Sequence, residues 1–358
     1  MSKLISAVLQ LAAAALMLLQ LMGGCMCYSA ESTTDWVAET GAGVELHVVG
    51  KKVPAPITYG VGFYSRSCPN AEKIIAAAVI QKWTADKTIT AGLLRMFFHD
   101  CFIRGCDASI LIQSTPQNQA ELDAVPNLTI HGLDLIDTAK AALEKACPGV
   151  VSCADIIALA TRDAVVLSGG PFIAFPTGRR DGRVSRILDV NNLPGPQDTV
   201  SDALAAFSSI GLNINDLVSL LGAHTVGVAH CVFFNDRLYD FQATGLPDPT
   251  MDVALLASLR KVCPPNLGSF GNAVPLDQGT DFVVDASYFT QIRMNHGILQ
   301  IDQELTHDAR TVKLIRNFAR NFTPFGPSFA RSMLKLGNVG VLTGKKGGEI
   351  RRICSKIN

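Results

Sequence analysis

The chain carries no net charge, because 31 lysine and arginine residues balance 31 aspartate and glutamate residues. No basic block stands out along the 358 residues. Nucleic acids and other polyanions are held by clustered cations, so no such partner is expected. Alternating apolar and polar residues, which are typical of half-buried strands, are also nearly absent. This second absence predicts a mostly α-helical fold with little β structure.

The cysteines lack the CxxC spacing of many zinc sites. There are ten of them, and Cys25 and Cys27 fall within a leader-like N-terminus, which leaves eight. An even set in an exported chain indicates disulfide bonds. Eight cysteines allow about 105 pairings, and the sequence alone does not choose among them. The eight are Cys68, Cys101, Cys106, Cys147, Cys153, Cys231, Cys263 and Cys354.

The N-terminus has the form of a secretory signal peptide. Residues 1–24 begin with Lys3 and continue as a run rich in leucine and alanine. We expect residues 1–29 to be the signal and the mature protein to be extracellular. A retained membrane anchor is the alternative, because the apolar run nearly reaches bilayer-spanning length. Residues 30–57 are polar and then rich in valine and proline, and we interpret them as an N-terminal extension.

From Tyr59 onward the apolar residues recur almost throughout with a helical period. We therefore expect one mostly helical domain over residues 58–358. One helix should follow Asn70, a good N-cap, and another should follow Ser152, with Asp155 three positions later. Further helices are predicted over residues 132–146, 198–211, 213–227, 250–261, 307–320 and 327–336.

The segment LLRMFFHDCFIRGCDASI, residues 93–110, places charged residues in an apolar setting. On a helix, Arg95 and His99 are four residues apart and share one face, with Phe98 beside them. Histidine can move a proton and arginine can stabilise developing charge, so the pair predicts a site that polarises a small ligand. The alternative is a core histidine next to an arginine that extends its charged end to solvent.

The same segment continues into an oxygen-rich turn between Cys101 and Cys106. Closely spaced carboxylates, a hydroxyl and backbone carbonyls suit calcium, which is a hard cation. The alternative is a solvated acidic turn. The candidate ligands are Asp100, Ile103, Gly105, Asp107 and Ser109.

A second histidine, His224, ends an apolar pattern. It follows Leu217, Leu220 and Leu221 at helical spacing, so these side chains are expected on one face. A satisfied core histidine is the alternative to a metal ligand. An axial histidine needs a partner on its other ring nitrogen, and Asp302 is a candidate for that partner. A second oxygen-rich cluster contains Asp277, Thr280 and Asp285.

Taken together, the motifs resemble those of the class III secretory plant peroxidases, which are haem enzymes. The resemblance runs from about Tyr59 to Cys354 and keeps the family's motif order. The matching stretches are FYSRSCPNAE, LLRMFFHDCFIRGCDASI, ELDAVPN, VSCADIIALATRDAV, GRRDGR, NNLPGP, DLVSLLGAHTVGVAHC, DRLYDF, IDQEL and MLKLGNVGVLTGKKGGEIRRIC.

The resemblance implies the peroxidase helical fold, with haem b between a distal and a proximal half. On the distal side, His99 is similar to the family's acid–base histidine and Arg95 to its distal arginine. Phe98 matches the aromatic residue of the peroxide pocket, and Asn127 matches the asparagine that binds the distal histidine.

On the proximal side, His224 is similar to the family's axial ligand of the haem iron and Asp302 to its carboxylate partner. Pro194 matches the proline that lines the approach of the reductant. The chain departs from the family at His131, where an arginine is usual and where we expect the haem edge.

Two calcium ions and four disulfides are also implied by the resemblance. The distal calcium site would use the turn described above, with Glu121 as an indirect ligand. The proximal site would use Thr225, Asp277, Thr280, Val283 and Asp285. The implied disulfides are Cys68–Cys147, Cys101–Cys106, Cys153–Cys354 and Cys231–Cys263.

The activity that the resemblance implies is reduction of hydrogen peroxide with oxidation of phenolic or similar one-electron donors. It further implies a monomer in the apoplast or cell wall, without stable membrane association. The sequon at Asn321 makes the chain a candidate glycoprotein. The alternative function is a catalytically silent haem-binding or wall-binding protein on the same scaffold.

Overall fold

The computed structural model describes residues 59–265, 271–344 and 347–358. The predicted signal (1–29) and extension (30–57) lie outside these residues. The described part is mostly helical, as predicted. Its α-helices are α1 (Ala71–Ala85), α2 (Ile89–Ile103), α3 (Leu133–Ala146), α4 (Cys153–Leu167), α5 (Val200–Ser209), α6 (Ile214–Leu221), α7 (Asn235–Tyr239), α8 (Val253–Val262), α9 (Ser287–Arg293), α10 (Gln300–His307), α11 (Val312–Phe318) and α12 (Phe322–Leu336).

Helices α1 and α4 begin directly after the two predicted N-cap residues. The Asn70 side chain makes no capping hydrogen bond, whereas that of Ser152 does. The Asp155 amide donates to Ser152 Oγ at 3.1 Å, and α4 begins at the next residue after Ser152. Helix α12 begins five residues earlier than predicted, after Asn321, whose Oδ1 accepts from the Thr323 amide. Helices α7, α9 and α10 were not predicted, because helices this short show little periodicity.

The main core lies where α1, α2 and α4 pack together and where α12 packs on α6. Aromatic rings fill much of the second contact, and Phe325 lies at its centre with Phe289 at 4.9 Å and Phe329 at 5.4 Å between ring centroids. All three rings are fully buried. This packing fixes α6, and therefore the turn that follows it.

A smaller core lies beside the two-stranded sheet found in the described residues. Strand β1 (Val228–His230) pairs antiparallel with β2 (Ala273–Pro275), with Val228 opposite Pro275. Phe234, Leu238 and Ile298 are buried against this sheet. The sheet directly follows the turn that contains His224, so it anchors the far end of that turn.

Four disulfides cross-link the described residues, and they are the four pairs that the resemblance implied. They are Cys68–Cys147, Cys101–Cys106, Cys153–Cys354 and Cys231–Cys263. Cys153–Cys354 ties the start of α4 to the C-terminus, across 201 residues. These cross-links restrict the unfolded chain and so stabilise the fold.

In the part of the chain that the structure describes, no single helix is long and apolar enough to cross a membrane. One bent pair, Val200–Ser209 with Ile214–Thr225, passes the length and composition test together, with an angle of 109° between its halves.

Candidate active site

A largely apolar cavity opens between α2 on one side and the end of α6 on the other. His99 and His224 both line it. Two histidines from helices far apart in sequence therefore face one space. The apolar lining includes Leu94, Phe207, Leu217, Leu221, Leu299 and Leu336.

On the α2 side, a short hydrogen bond orients His99. Its Nδ1 lies 2.6 Å from Asn127 Oδ1, and Asn127 Nδ2 donates to the Glu121 carbonyl, also at 2.6 Å. Because the amide oxygen can only accept, Nδ1 carries the proton and Nε2 keeps its lone pair. His99 is therefore prepared to accept a proton at Nε2.

Burial keeps His99 neutral. The side chain is 5% exposed, and desolvation, together with the nearby charge of Arg95, lowers the pKa of His99 to about 3. The hydrogen bond to Asn127 raises the pKa, but it does not outweigh these two effects. A neutral imidazole near pH 7 is the form that works as a general base.

Arg95 lies one helical turn before His99 on α2, as the spacing predicted. Its Nη2 donates to the Pro126 carbonyl at 2.8 Å, while its buried Nε has no hydrogen-bond partner among the described residues. Burial lowers the pKa of this guanidinium, which still remains charged near neutrality. A buried cation at the cavity wall favours a ligand that develops negative charge.

Phe98 closes the cavity next to His99. Its ring lies 6.0 Å from the His99 ring, 5.1 Å from Phe102 and 6.0 Å from Phe207, measured between centroids. These ring contacts hold Phe98 in place at the wall. An aromatic wall restricts the space beside His99 to small ligands.

His224 lies in a 3₁₀ turn and not on the α-helical face that its spacing predicted. Helix α6 ends at Leu221, and the turn Gly222–Thr225 follows it. The turn approaches the aromatic core closely, since a Cβ at position 222 would lie 2.5 Å from Phe325 Cε2. The position therefore requires glycine, and the tighter turn directs His224 to the cavity.

Asp302, on α10, orients His224. The Nδ1 of His224 donates to Asp302 Oδ1 at 2.8 Å, and Asp302 is 1% exposed. The carboxylate fixes the proton on Nδ1, which leaves the Nε2 lone pair for a metal. Tyr288 donates a further hydrogen bond to the same oxygen. Sequence reasoning missed Tyr288, because no local pattern distinguishes it from any other buried tyrosine.

The cavity residues fit a haem. The lining is apolar, both histidines have their Nδ1 occupied by partners within the protein, and His224 can offer Nε2 to iron from one wall. His99, Arg95 and Phe98 line the opposite wall, where a ligand of the iron would lie. Pro194 also lines the cavity, as the resemblance implied.

The turn after α2 brings its oxygen atoms together in a buried cluster. Asp100 Oδ2 accepts from the Ala108 amide at 2.9 Å, and Ser109 Oγ donates to Glu121 Oε2 at 3.2 Å. Glu121 is fully buried, and its Oε1 has no partner in the described residues.

Electrostatics in this cluster favour a bound cation. Burial and the neighbouring Asp107 carboxylate raise the pKa of Glu121 to about 8 and raise the pKa of Asp100 well above its usual range. A divalent cation would relieve this unfavourable burial of like charges. The donor set is one of hard oxygens, which fits calcium.

A second oxygen cluster surrounds Thr225, next to His224. Its Oγ1 lies 3.1 Å from the Val283 carbonyl, 3.3 Å from Asp285 Oδ1 and 3.4 Å from Asp277 Oδ2. Thr280 Oγ1 lies 3.5 Å from Asp277 Oδ2. The five residues that the resemblance implied therefore converge.

Neither oxygen cluster rests on acidic side chains alone. Among the described residues there is no group of three or more His, Cys, Asp or Glu side chains arranged to hold a metal. Calcium binding in either cluster therefore depends on hydroxyl and carbonyl oxygens as well as carboxylates.

His131, which we expected near the haem edge, contacts α2. It is not among the cavity-lining residues; its ring packs on α2, where a Cβ at position 92 would lie 2.5 Å from its Cε1. Its Nε2 is 3.3 Å from Thr88 Oγ1. The glycine at position 92 leaves room for the ring, which explains why the residue turns to the helix rather than to the cavity.

The two glycosylation sequons, at Asn127 and Asn321, differ in exposure. Asn127 also lies in a sequon, but it is buried and both its amide atoms are used. Asn321 is exposed at the start of α12.

An acid–base histidine and a metal-binding histidine on opposite walls of one apolar cavity are what a haem-dependent oxidoreductase needs to cleave a small ligand. Comparison with known proteins agrees with this class. The sequence profile of the family described as Peroxidase matches residues 75–321.

Individual relatives match over a longer part of the chain than the family profile does. The chain is 51% identical to Peroxidase 57 of Arabidopsis thaliana over 298 residues, which cover 83% of this chain and 92% of the relative. It is 48% identical to Peroxidase N1 of Nicotiana tabacum over 302 residues, covering 83% and 90%. The chain belongs to the peroxidase family and is a haem peroxidase of the class III plant type.

Proposed function

We propose that His99 and Arg95 cleave hydrogen peroxide on the distal side of haem b, and that phenolic donors supply electrons along the Pro194 side of the cavity. The observation that carries this proposal is the shared cavity of the two histidines, each oriented by its own partner at Nδ1. Peroxide reduction itself follows from the family.

In the distal pocket, His99 and Arg95 have separate roles. Haem bound in this cavity would supply the redox chemistry, taking two oxidising equivalents from peroxide for donors to consume one at a time. His99 Nε2 takes the proton from one peroxide oxygen and passes it to the other oxygen, which leaves as water. Arg95 stabilises the negative charge that develops as the O–O bond breaks. Positioned proton transfer of this kind contributes roughly 10²–10⁴ in rate.

On the proximal side, His224 would hold the iron through Nε2, because its Nδ1 is bonded to Asp302. Asp302 accepts the Nδ1 proton of His224 in a hydrogen bond, which fixes the ring and makes its other nitrogen a stronger electron donor. Because Asp302 is buried, water does not compete for this bond. Asn127 acts on His99 in the same manner, by fixing its tautomer.

We also propose one calcium ion in each oxygen cluster. The distal ion would be held by Asp100, Ile103, Gly105, Asp107 and Ser109, with Glu121 acting indirectly, and the proximal ion by Thr225, Asp277, Thr280, Val283 and Asp285. Asp100 follows His99 directly and Thr225 follows His224 directly. Each ion would therefore fix the backbone beside one functional histidine.

The remaining proposals concern the whole protein. We propose a monomer in the apoplast or cell wall; the signal-like residues 1–29 and the four disulfides support its secretion. Asn321 supports glycosylation of the secreted form. A catalytically silent scaffold would have no use for a neutral His99 beside Arg95, and the comparisons give it no support.

The decisive experiment is a peroxide assay with guaiacol, a small phenol, on purified haem-loaded protein. We expect peroxide-dependent oxidation by the wild type and its loss in Arg95→Leu and His99→Leu. Val166→Ala, on the exposed surface of α4, is the matched control. Turnover by the Arg95 and His99 variants at the wild-type rate would contradict the assigned roles, and absence of turnover in the wild type would support the silent scaffold.

A further inference from the structure

One oxygen atom of Asp302 accepts two hydrogen bonds. His224 Nδ1 and the Tyr288 hydroxyl each donate to Oδ1, and both distances are 2.8 Å. Tyr288 is fully buried at the start of α9. Its ring also meets the His224 ring edge-on, with centroids 6.1 Å apart and an angle of 86° between planes. Tyr288 therefore contacts both members of the proximal pair.

The Tyr288 hydroxyl is a permanent donor. A phenol ionises only near a pH of about 10, and the Tyr288 hydroxyl lies against a carboxylate oxygen that can only accept, so it keeps its proton and donates. Asp302 is 1% exposed, and among the described residues Oδ2 accepts one long bond, from the Leu299 amide at 3.4 Å. The phenol thus provides one of the few bonds that stabilise the carboxylate charge.

Two donors on one oxygen compete for its electron density. A carboxylate oxygen that already accepts a hydrogen bond from a phenol forms a weaker hydrogen bond to the Nδ1 proton of its histidine. The histidine then has less imidazolate character, and it donates less electron density to a metal at Nε2. Less donation favours the reduced state of the metal and raises its reduction potential.

We propose that Tyr288 is a positioning residue that holds Asp302 and weakens its pull on the His224 proton, and thereby raises the reduction potential of the iron. The inference rests on the proposed role of His224 as the axial ligand. Removal of the hydroxyl should leave Asp302 Oδ1 to the His224 proton alone, strengthen that hydrogen bond and shift the potential to more negative values.

The test is Tyr288→Phe, which removes one oxygen atom and keeps the ring. The midpoint potential of the haem-loaded protein is measured by spectroelectrochemistry, and the iron–histidine stretch of the ferrous form by resonance Raman spectroscopy. We expect a more negative potential and a higher stretching frequency. An unchanged potential would overturn the inference.

Tyr64→Phe is the matched control. Tyr64 is likewise buried, and its hydroxyl donates at 2.7 Å to a buried carboxylate, that of Asp155, away from His224. Its potential should equal that of the wild type; a shift as large as that of Tyr288→Phe would overturn the inference, since the effect would then be a general loss of packing.

A second variant covers the case in which Tyr288→Phe does not fold. Replacement of Tyr288 by 3-fluorotyrosine keeps the hydroxyl and makes it a stronger donor, so the potential should shift to more positive values. No shift, or a negative one, would overturn the inference. Failure of the proposed function would look different, because the wild type itself would then lack the iron–histidine stretch.

Discussion

Asn127 Oδ1 lies 2.6 Å from Nδ1 of His99, although 28 residues separate the two. Asn127 is itself fixed, because its amide nitrogen donates to the Glu121 carbonyl. Glu121 belongs in turn to the buried oxygen cluster through Ser109. The base, its orienting amide and the proposed distal calcium site are therefore one connected hydrogen-bonded unit.

The first prediction concerns the base. His99→Leu should bind haem, because His224 is untouched, but peroxide cleavage should slow by roughly 10²–10⁴, the contribution of positioned acid–base catalysis. Stopped-flow absorbance at the haem band measures the first oxidation step. Phe97→Leu, which changes a buried ring on α2 that packs on Phe175 away from the cavity, is the control for packing. A near-normal rate in His99→Leu would remove His99 from the mechanism.

The second prediction concerns the partner of the base. Asn127→Ala removes the bond that fixes the His99 tautomer and that raises its pKa. A hydrogen bond contributes about 1 kcal/mol, which corresponds to about fivefold in rate, so the loss should be smaller than for His99→Leu. Single-turnover kinetics with peroxide would show it. The assignment fails if the variant cleaves peroxide as fast as the wild type.

The third prediction is a pH dependence. The neutral form of His99 accepts the proton, and burial next to the Arg95 charge lowers its pKa to about 3. As the pH falls through that value the imidazole gains a proton and can no longer accept one. Peroxide cleavage should therefore be constant from neutrality down to about pH 4 and fall below it. A decline centred near pH 6.5, with the fold intact by circular dichroism, would contradict the effect of burial.

The fourth prediction concerns removal of calcium. Chelation with EGTA should slow turnover before it unfolds the chain, because each proposed calcium ligand set adjoins a functional histidine and small displacements are costly to rate. The disulfides should meanwhile keep the helices folded. Activity and far-UV circular dichroism are followed together, and elemental analysis gives the metal content. Full activity in protein that contains no calcium would refute both sites.

The fifth prediction concerns the release of protons when calcium binds. Without a cation, burial and Asp107 raise the pKa of Glu121 to about 8, so at pH 7 Glu121 is mostly protonated. A calcium ion favours the charged form and lowers the pKa. Addition of calcium to depleted protein at pH 7 should therefore release protons into a weakly buffered solution. Glu121→Gln should release fewer, and an equal release by this variant would show that the protons come from elsewhere.

The sequence determined those parts of the site that lie within one helix. Arg95 and His99 are four residues apart, and helical geometry alone puts them on one face. Likewise Ser152 determined the start of α4, since the capping bond reaches only to Asp155. Local bonds of this kind depend on backbone geometry, which the residue pattern specifies.

The family resemblance predicted more of the site than the local pattern did, because it paired residues from segments that no spacing rule connects. The four disulfide pairs, the pairing of His99 with Asn127 and the pairing of His224 with Asp302 all came from it, and the structure brings each of these pairs together. From the residues alone, eight cysteines left their pairing open, and Asp302 was one possible partner among others.

Only the tertiary structure decided the features that depend on packing between helices. Helix α6 ends at Leu221 where the chain packs closely on Phe325, and His224 lies in the tighter turn that follows. Because Gly92 has no side chain, the His131 ring packs on α2 at that position and does not line the cavity. Tyr288 reaches Asp302 because α9 and α10 pack against each other. Contacts like these depend on where whole helices lie, and the order of residues within one helix does not contain that information.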